Sequence, residues 1–230
     1  MGKTNFEEVS EKLWNTMKSN GETGIMKYKP FSDQYWINNP KIVICNYEAF
    51  GYRDSKENAL SFEYFKVGLM DSKRKTIRNT AVFIYTLQQM LSKSDFTWHN
   101  LAKEKLYDKI DILHETMRNV MYMNIRPDSG SGRLQETKET RIVVQKYKNE
   151  IKDFIMALDA DIFILSSKHS PELFNDIFNI KENPLKYKGC MQLNNTAVFS
   201  VPHFSRPDYS YYLKKAKEIA TAFLAKETKT

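Results

Sequence analysis

No apolar run in this 230-residue chain approaches 18 residues, so no segment is expected to span a bilayer. The first 20 residues are amphipathic, without the apolar block of a signal peptide, and a cytoplasmic protein is expected. Cysteine is nearly absent. Cys45 and Cys190 are too few for the four thiolates that usually hold an iron–sulfur cluster. Both lie in strand-like apolar runs and read as buried free thiols, and a reducing compartment disfavours a disulfide between them. The four histidines, His99, His114, His169 and His203, are scattered, and none pairs at metal-ligand spacing. No Gly-x-Gly-x-x-Gly follows a strand, which argues against a dinucleotide cofactor, and no Gly-x-Ser-x-Gly elbow is present. Gly130-Ser-Gly132 is too short for a phosphate loop. Neither a metal nor a cofactor is therefore expected.

What the chain does have is core material. Hydrophobic residues make up 41% and aromatics 13%. Charged residues, at 27%, are mixed in sign. One domain over 1–230 is expected, with an N-terminal helix and aromatic segment over 1–36 packing on a core at 40–225. The net charge of +7 suits a phosphate-rich partner, although a solvated surface explains most of the scattered lysines. A monomer is expected.

Phe6 to Met17 has helical apolar spacing. Four short apolar runs read as buried parallel strands: 41–45, 119–124, 161–165 and 196–201. Between them, helical patterns cover 74–91, 137–158 and 208–224. The long middle pattern carries Ile142, Val143, Tyr147, Ile151, Phe154, Ile155 and Leu158. Ser170-Pro-Glu172 reads as an N-cap, a proline at the first helical position and an acidic first turn. Met117, Met121 and Met123 read as core filling. Alternation of strands and helices predicts an α/β fold: three layers, α/β/α, around a mostly parallel four-stranded sheet.

In such sheets, sites gather beyond the carboxyl ends of the strands. That rule selects the loops 46–54, 124–133 and 202–208, which also carry the chemically unusual residues. Glu48 follows a buried strand, where a carboxylate can orient water; its bland alternative is a loop acid that caps a helix or meets an arginine. His203 follows another, where an imidazole can donate to an anion developing on a leaving group; its bland alternative is a hydrogen bond within a turn.

Together these loops resemble something specific. A strand followed by Glu48-Ala-x-Gly51, Arg126–Pro127 ahead of a long helix, Asp161-Ile-Phe-Ile-Leu165, and His203-x-Ser205 before a last helix follow the order of the uracil-DNA glycosylase superfamily. The resemblance covers 40–225 and is nearest to the branch with Gly-Glu-Ala-Pro-Gly and His-Pro-Ser motifs. Tyr47 and Phe50 replace a glycine and the proline of the first motif, and Phe204 the proline of the second. The iron–sulfur cysteines of that branch are absent, and the turn Ser166–Ser167–Lys168 lacks the branch's glycine.

The resemblance implies a DNA glycosylase that hydrolyses the N-glycosidic bond of a flipped-out uracil or modified base and leaves an abasic site. Glu48 would position or activate water and His203 would hydrogen-bond the departing base. The base pocket would draw on Asn46, Tyr47, Phe50, Phe62 and Asn124. Phe62, Tyr64 and Phe65 are alternatives for the stacking aromatic, and Asn119 is the alternative to Asn124. Arg53, Arg126, Ser205, Arg206 and Lys214 would contact DNA. The altered motifs suggest a non-standard base, such as one marking foreign or phage DNA, with a role in repair or antiviral defence. Rival readings are a non-catalytic DNA-binding member of the fold and a small-molecule nucleoside hydrolase.

Overall fold

The computed structural model describes residues 3–47, 69–70, 75–92, 96, 106–128, 137–182, 184–185, 189–204 and 209–227. In chain order the elements begin with α1 (Lys3–Ser19), α2 (Gln34–Ile37), β1 (Ile42–Asn46), α3 (Lys75–Ser92), a 3-10 turn (Leu106–Asp108), α4 (Ile110–Arg118) and β2 (Val120–Asn124). There follow α5 (Thr137–Lys146), α6 (Lys148–Ala157), β3 (Ile162–Ser166), α7 (Ser170–Phe178), β4 (Cys190–Leu193), β5 (Thr196–Val201) and α8 (Tyr209–Glu227). The chain divides into two compact units, 1–61 with 120–202, and 62–119 with 203–230.

The first unit holds a five-stranded sheet of order β2-β1-β3-β5-β4. The four expected strands pair in parallel, and β4 adds an antiparallel edge against β5. The α/β class is as expected; the sheet is mixed and five-stranded rather than four-stranded. The missed strand, Cys190–Leu193, alternates between exposed and half-buried positions, as an edge strand does, and so lacks the continuous apolar run that marks the others. Cys190 is accordingly exposed, contrary to expectation, while Cys45 is buried.

β1, β2 and β3 are buried at every position. Val43, Cys45, Met121, Met123, Phe163, Leu165 and Val198 join one core with Phe6, Leu13 and Met17 of α1, Phe154 of α6 and Phe174 of α7. Full burial of each large apolar side chain stabilises the fold by about 1.5–3 kcal/mol. In the aromatic segment, Tyr35 is fully buried and donates to the Leu158 carbonyl at 2.9 Å, and the Trp36 ring lies 5.3 Å from Phe6.

The helical pattern at 137–158 is interrupted at Tyr147 (φ −111°), which separates α5 from α6. The Tyr147 hydroxyl donates to Glu22 at 2.8 Å, and Lys146 pairs with the same carboxylate at 2.7 Å. Val144 is buried while Ile142 is 59% exposed, so the inward face of α5 differs from the expected stripe by one pair of positions.

The second unit packs α3 against α8 and α4. Ala81, Phe83, Ile84 and Leu87 of α3 and Ala216, Ile219, Ala220 and Phe223 of α8 are buried. Phe204 is fully buried, with its ring 5.1 Å from Phe83 and 5.2 Å from Tyr212. No helix among the described residues is long and apolar enough to cross a membrane.

Candidate functional site

Chain order places one feature of the sheet. From β1 the chain moves outward to β2, then returns to the far side of β1 as β3. The β1/β3 boundary is thus the topological switch point, where open α/β sheets leave a crevice beyond the strand ends. Asn46 ends β1 and is in register with Asn124 at the end of β2 and with Ser166 at the end of β3. Register in a parallel sheet sets all three on one face. They are 4%, 4% and 0% exposed, a buried polar row closing three otherwise apolar strands.

Only part of that row is satisfied. The Asn46 amide donates to the Tyr122 hydroxyl. The Asn124 amide donates to the Tyr28 hydroxyl at 2.7 Å, and Tyr28 in turn donates to Met26 Sδ at 3.3 Å. Burial raises the Tyr28 pKa far above the ordinary phenol value, so Tyr28 remains a neutral hydroxyl. Asn46 Oδ1, Ser166 Oγ and the neighbouring Tyr47 hydroxyl are buried without a partner among the described residues. Leaving such an atom unpaired costs roughly 1–3 kcal/mol, and native structures contain few. Two of these three stand on adjacent strands at the switch point.

The N-terminal segment locks onto the same edge. Met26 N–H donates to the Pro127 carbonyl at 2.8 Å, and Ile25 forms an antiparallel bridge with Asp128. Past the strand ends, Ile125 N–H still donates to Asn46 O at 2.8 Å and Arg126 N–H to Tyr47 O at 3.3 Å, so the 124–128 turn is fixed to β1.

After β3, the Ser167 hydroxyl accepts from the N–H groups of His169 (3.0 Å) and Ser170 (3.2 Å). Ser167 therefore does the capping that the sequence assigned to Ser170, whose own hydroxyl is buried and unpartnered. Pro171 and Glu172 stand in the first turn of α7 as expected. The Tyr47 and His169 rings are 5.4 Å apart. Burial, followed by the charge of Lys168, lowers the His169 pKa.

Arg126 was expected at a phosphate, but it is 2% exposed. Its guanidinium forms a two-pronged pair with Asp128 and bonds Glu139 at 3.0 Å and Thr140 at 3.2 Å. Burial works against its charge, but Asp128 and Glu139 outweigh it and raise the pKa above the ordinary value. Arg126 ties the loop to α5 and is not the exposed cation that a phosphate contact needs. Lys214 is exposed on α8. Glu48, Phe50, Arg53, Phe62, Tyr64, Phe65, Ser205 and Arg206 lie outside the described residues. Of the two alternative asparagines, Asn124 ends β2 while Asn119 precedes it.

In the second unit, His203 follows β5 and is half-buried. Its carbonyl accepts from Tyr212 Oη at 3.3 Å, and the next carbonyl, of Phe204, accepts from Asn79 Nδ2 at 2.6 Å. Burial lowers the His203 pKa, favouring neutral imidazole at pH 7. For both His169 and His203 the unfolded chain takes the proton first, at about pH 6.5. Their contribution is complete above that value and stability falls as the pH drops below it. Urea midpoints at pH 7.5 and 5.5 should show the fall, and a His169→Asn/His203→Asn variant should flatten it; an unchanged fall in that variant would count against the assignment.

Comparison with protein-family models and with curated proteins finds no match.

Proposed function

We propose that this chain is a DNA glycosylase that hydrolyses the bond between an extruded base and its sugar. The observation that carries the reading is the buried row Asn124–Asn46–Ser166 at the switch point, with two unpartnered polar atoms. Amide and hydroxyl groups that form no bonds to one another suit the edge of a planar, hydrogen-bonding ligand such as a base. The motif order of the uracil-DNA glycosylase superfamily supplies the chemistry. In that reading Glu48, two residues beyond β1, positions water, and His203, two residues beyond β5, donates to the departing base. A neutral imidazole is a suitable donor, because it stabilises the leaving anion without needing a proton from solvent.

Incubation with DNAs carrying different altered bases, with abasic sites scored by mass spectrometry, tests the proposal. Release of one base from DNA supports it. Release only from free nucleosides would favour a small-molecule hydrolase, and binding without release a non-catalytic DNA binder. The altered first and third motifs favour a modified base over uracil as substrate, and uracil as the best substrate in that panel would defeat this refinement. The net charge of +7 makes a further expectation concrete. DNA affinity should fall linearly on a log–log plot against salt, with a slope of roughly −0.9 per phosphate neutralised in duplex DNA. An electrophoretic shift unchanged across a salt series would argue against phosphate contacts.

A further inference from the structure

Asn79 lies outside the motifs that carry the resemblance, yet from α3 it reaches the segment that holds His203. It is 2% exposed, and its side-chain amide donates to the Phe204 carbonyl at 2.6 Å. Phe83, four residues on, shares that face of α3, and its ring stands 5.1 Å from the Phe204 ring. One helix face thus grips Phe204 by both its carbonyl and its ring.

A second grip comes from α8. Tyr212, 5% exposed, donates through its hydroxyl to the His203 carbonyl at 3.3 Å, and its ring stands 5.2 Å from Phe204 and 6.1 Å from Phe83. The three rings form a triangle, with the fully buried Phe204 at one corner. Two successive carbonyls, those of His203 and Phe204, therefore accept from two different helices. Every residue of this clamp belongs to the second unit. An amide as buried as that of Asn79 is costly to leave unpaired, which favours the clamped arrangement over a loosened one.

We infer that Asn79 and Tyr212 are positioning residues for His203: by fixing the two peptide groups on its carboxyl side, they hold the imidazole in one place. The residue after His203 shows why contacts are needed. A proline there, as in the His-Pro-Ser motif, confines the residue before it to extended backbone. Phe204 imposes no such limit, and its buried ring and anchored carbonyl supply the restraint instead. The burial that lowers the His203 pKa is kept by the same clamp. The inference rests on the proposed function only for what the imidazole does; the clamp stands without it. A reacting group displaced by about 1 Å can lose on the order of 10²-fold in rate, so anchoring the backbone beside the imidazole bears directly on turnover.

The test uses the full chain and two variants. Asn79→Leu keeps the side-chain volume and removes the donor; Tyr212→Phe keeps the ring and removes the hydroxyl. The His203 ring C2–H resonance, assigned by its loss in His203→Ala, is followed through pH by NMR. In the wild-type chain it should titrate below the ordinary imidazole value of about 6.5. In Asn79→Leu, with circular dichroism unchanged, it should move up toward that value, and in Tyr212→Phe it should move the same way by less, because that bond is longer. Should Asn79→Leu fail to fold, Tyr212→Phe decides by itself. Base release on the preferred DNA gives a second readout. Asn79→Leu should lower kcat on the order of 10²-fold with KM little changed. Added to His203→Ala it should cost nothing further, because it acts only through the imidazole. A His203 pKa unmoved in the folded variants overturns the inference whatever the activity, and so does an equal rate loss in the His203→Ala background. A pKa that moves in a chain releasing no base upholds the clamp and defeats the glycosylase reading alone.

Discussion

Glu48→Gln and His203→Ala should each nearly abolish base release while the chain stays folded. A positioned acid–base group contributes about 10²–10⁴-fold. A donor aimed at developing negative charge contributes about 10²–10³-fold. Alanine retains the backbone carbonyl that accepts from Tyr212. Single-turnover rates on the preferred base, beside circular dichroism and DNA affinity, separate chemistry from folding and binding. Near-normal turnover in both variants would remove the glycosylase reading, because no other pair in the resemblance takes these roles.

The second large effect concerns stability. Arg126→Ala should destabilise the protein by about 3–5 kcal/mol, since Asp128, 6% exposed, would be left as a buried charge without its partner. Glu139 meets the same guanidinium but its side chain is 49% exposed, so Glu139→Gln should cost no more than about 1 kcal/mol. Urea unfolding of the two variants gives the contrast. Equal, small losses would show that the Arg126–Asp128 pair does not hold the loop.

Much of this was legible in the chain, and the failures have identifiable causes. Ile42–Asn46, Val120–Asn124, Ile162–Ser166 and Thr196–Val201 announce themselves because parallel strands buried on both faces need unbroken apolar runs. The polar floor was legible too, in principle. Three of those runs end in Asn, Asn and Ser, and strand ends in a parallel sheet converge on one edge. Asn46 and Asn124 are candidates on sequence grounds, whereas Ser166 reads as part of a turn. Other features depend on partners that spacing does not reveal. Tyr28 reaches Asn124 across 96 positions. Arg126 finds Glu139 only once α5 has formed, so a basic residue in a turn-rich loop reads as a surface cation until its neighbours are known.

The edge strand β4 has a practical consequence for work in solution. Its first residue, Cys190, is open to solvent, whereas Cys45 is enclosed and its thiol pKa is pushed far upward by burial. A thiolate is the reactive species, so a maleimide dye should attach to the native chain at one place. That gives a ready handle for fluorescence or surface tethering without engineering, and it makes reductant necessary during storage, where air would otherwise join two molecules covalently through their sheet edges.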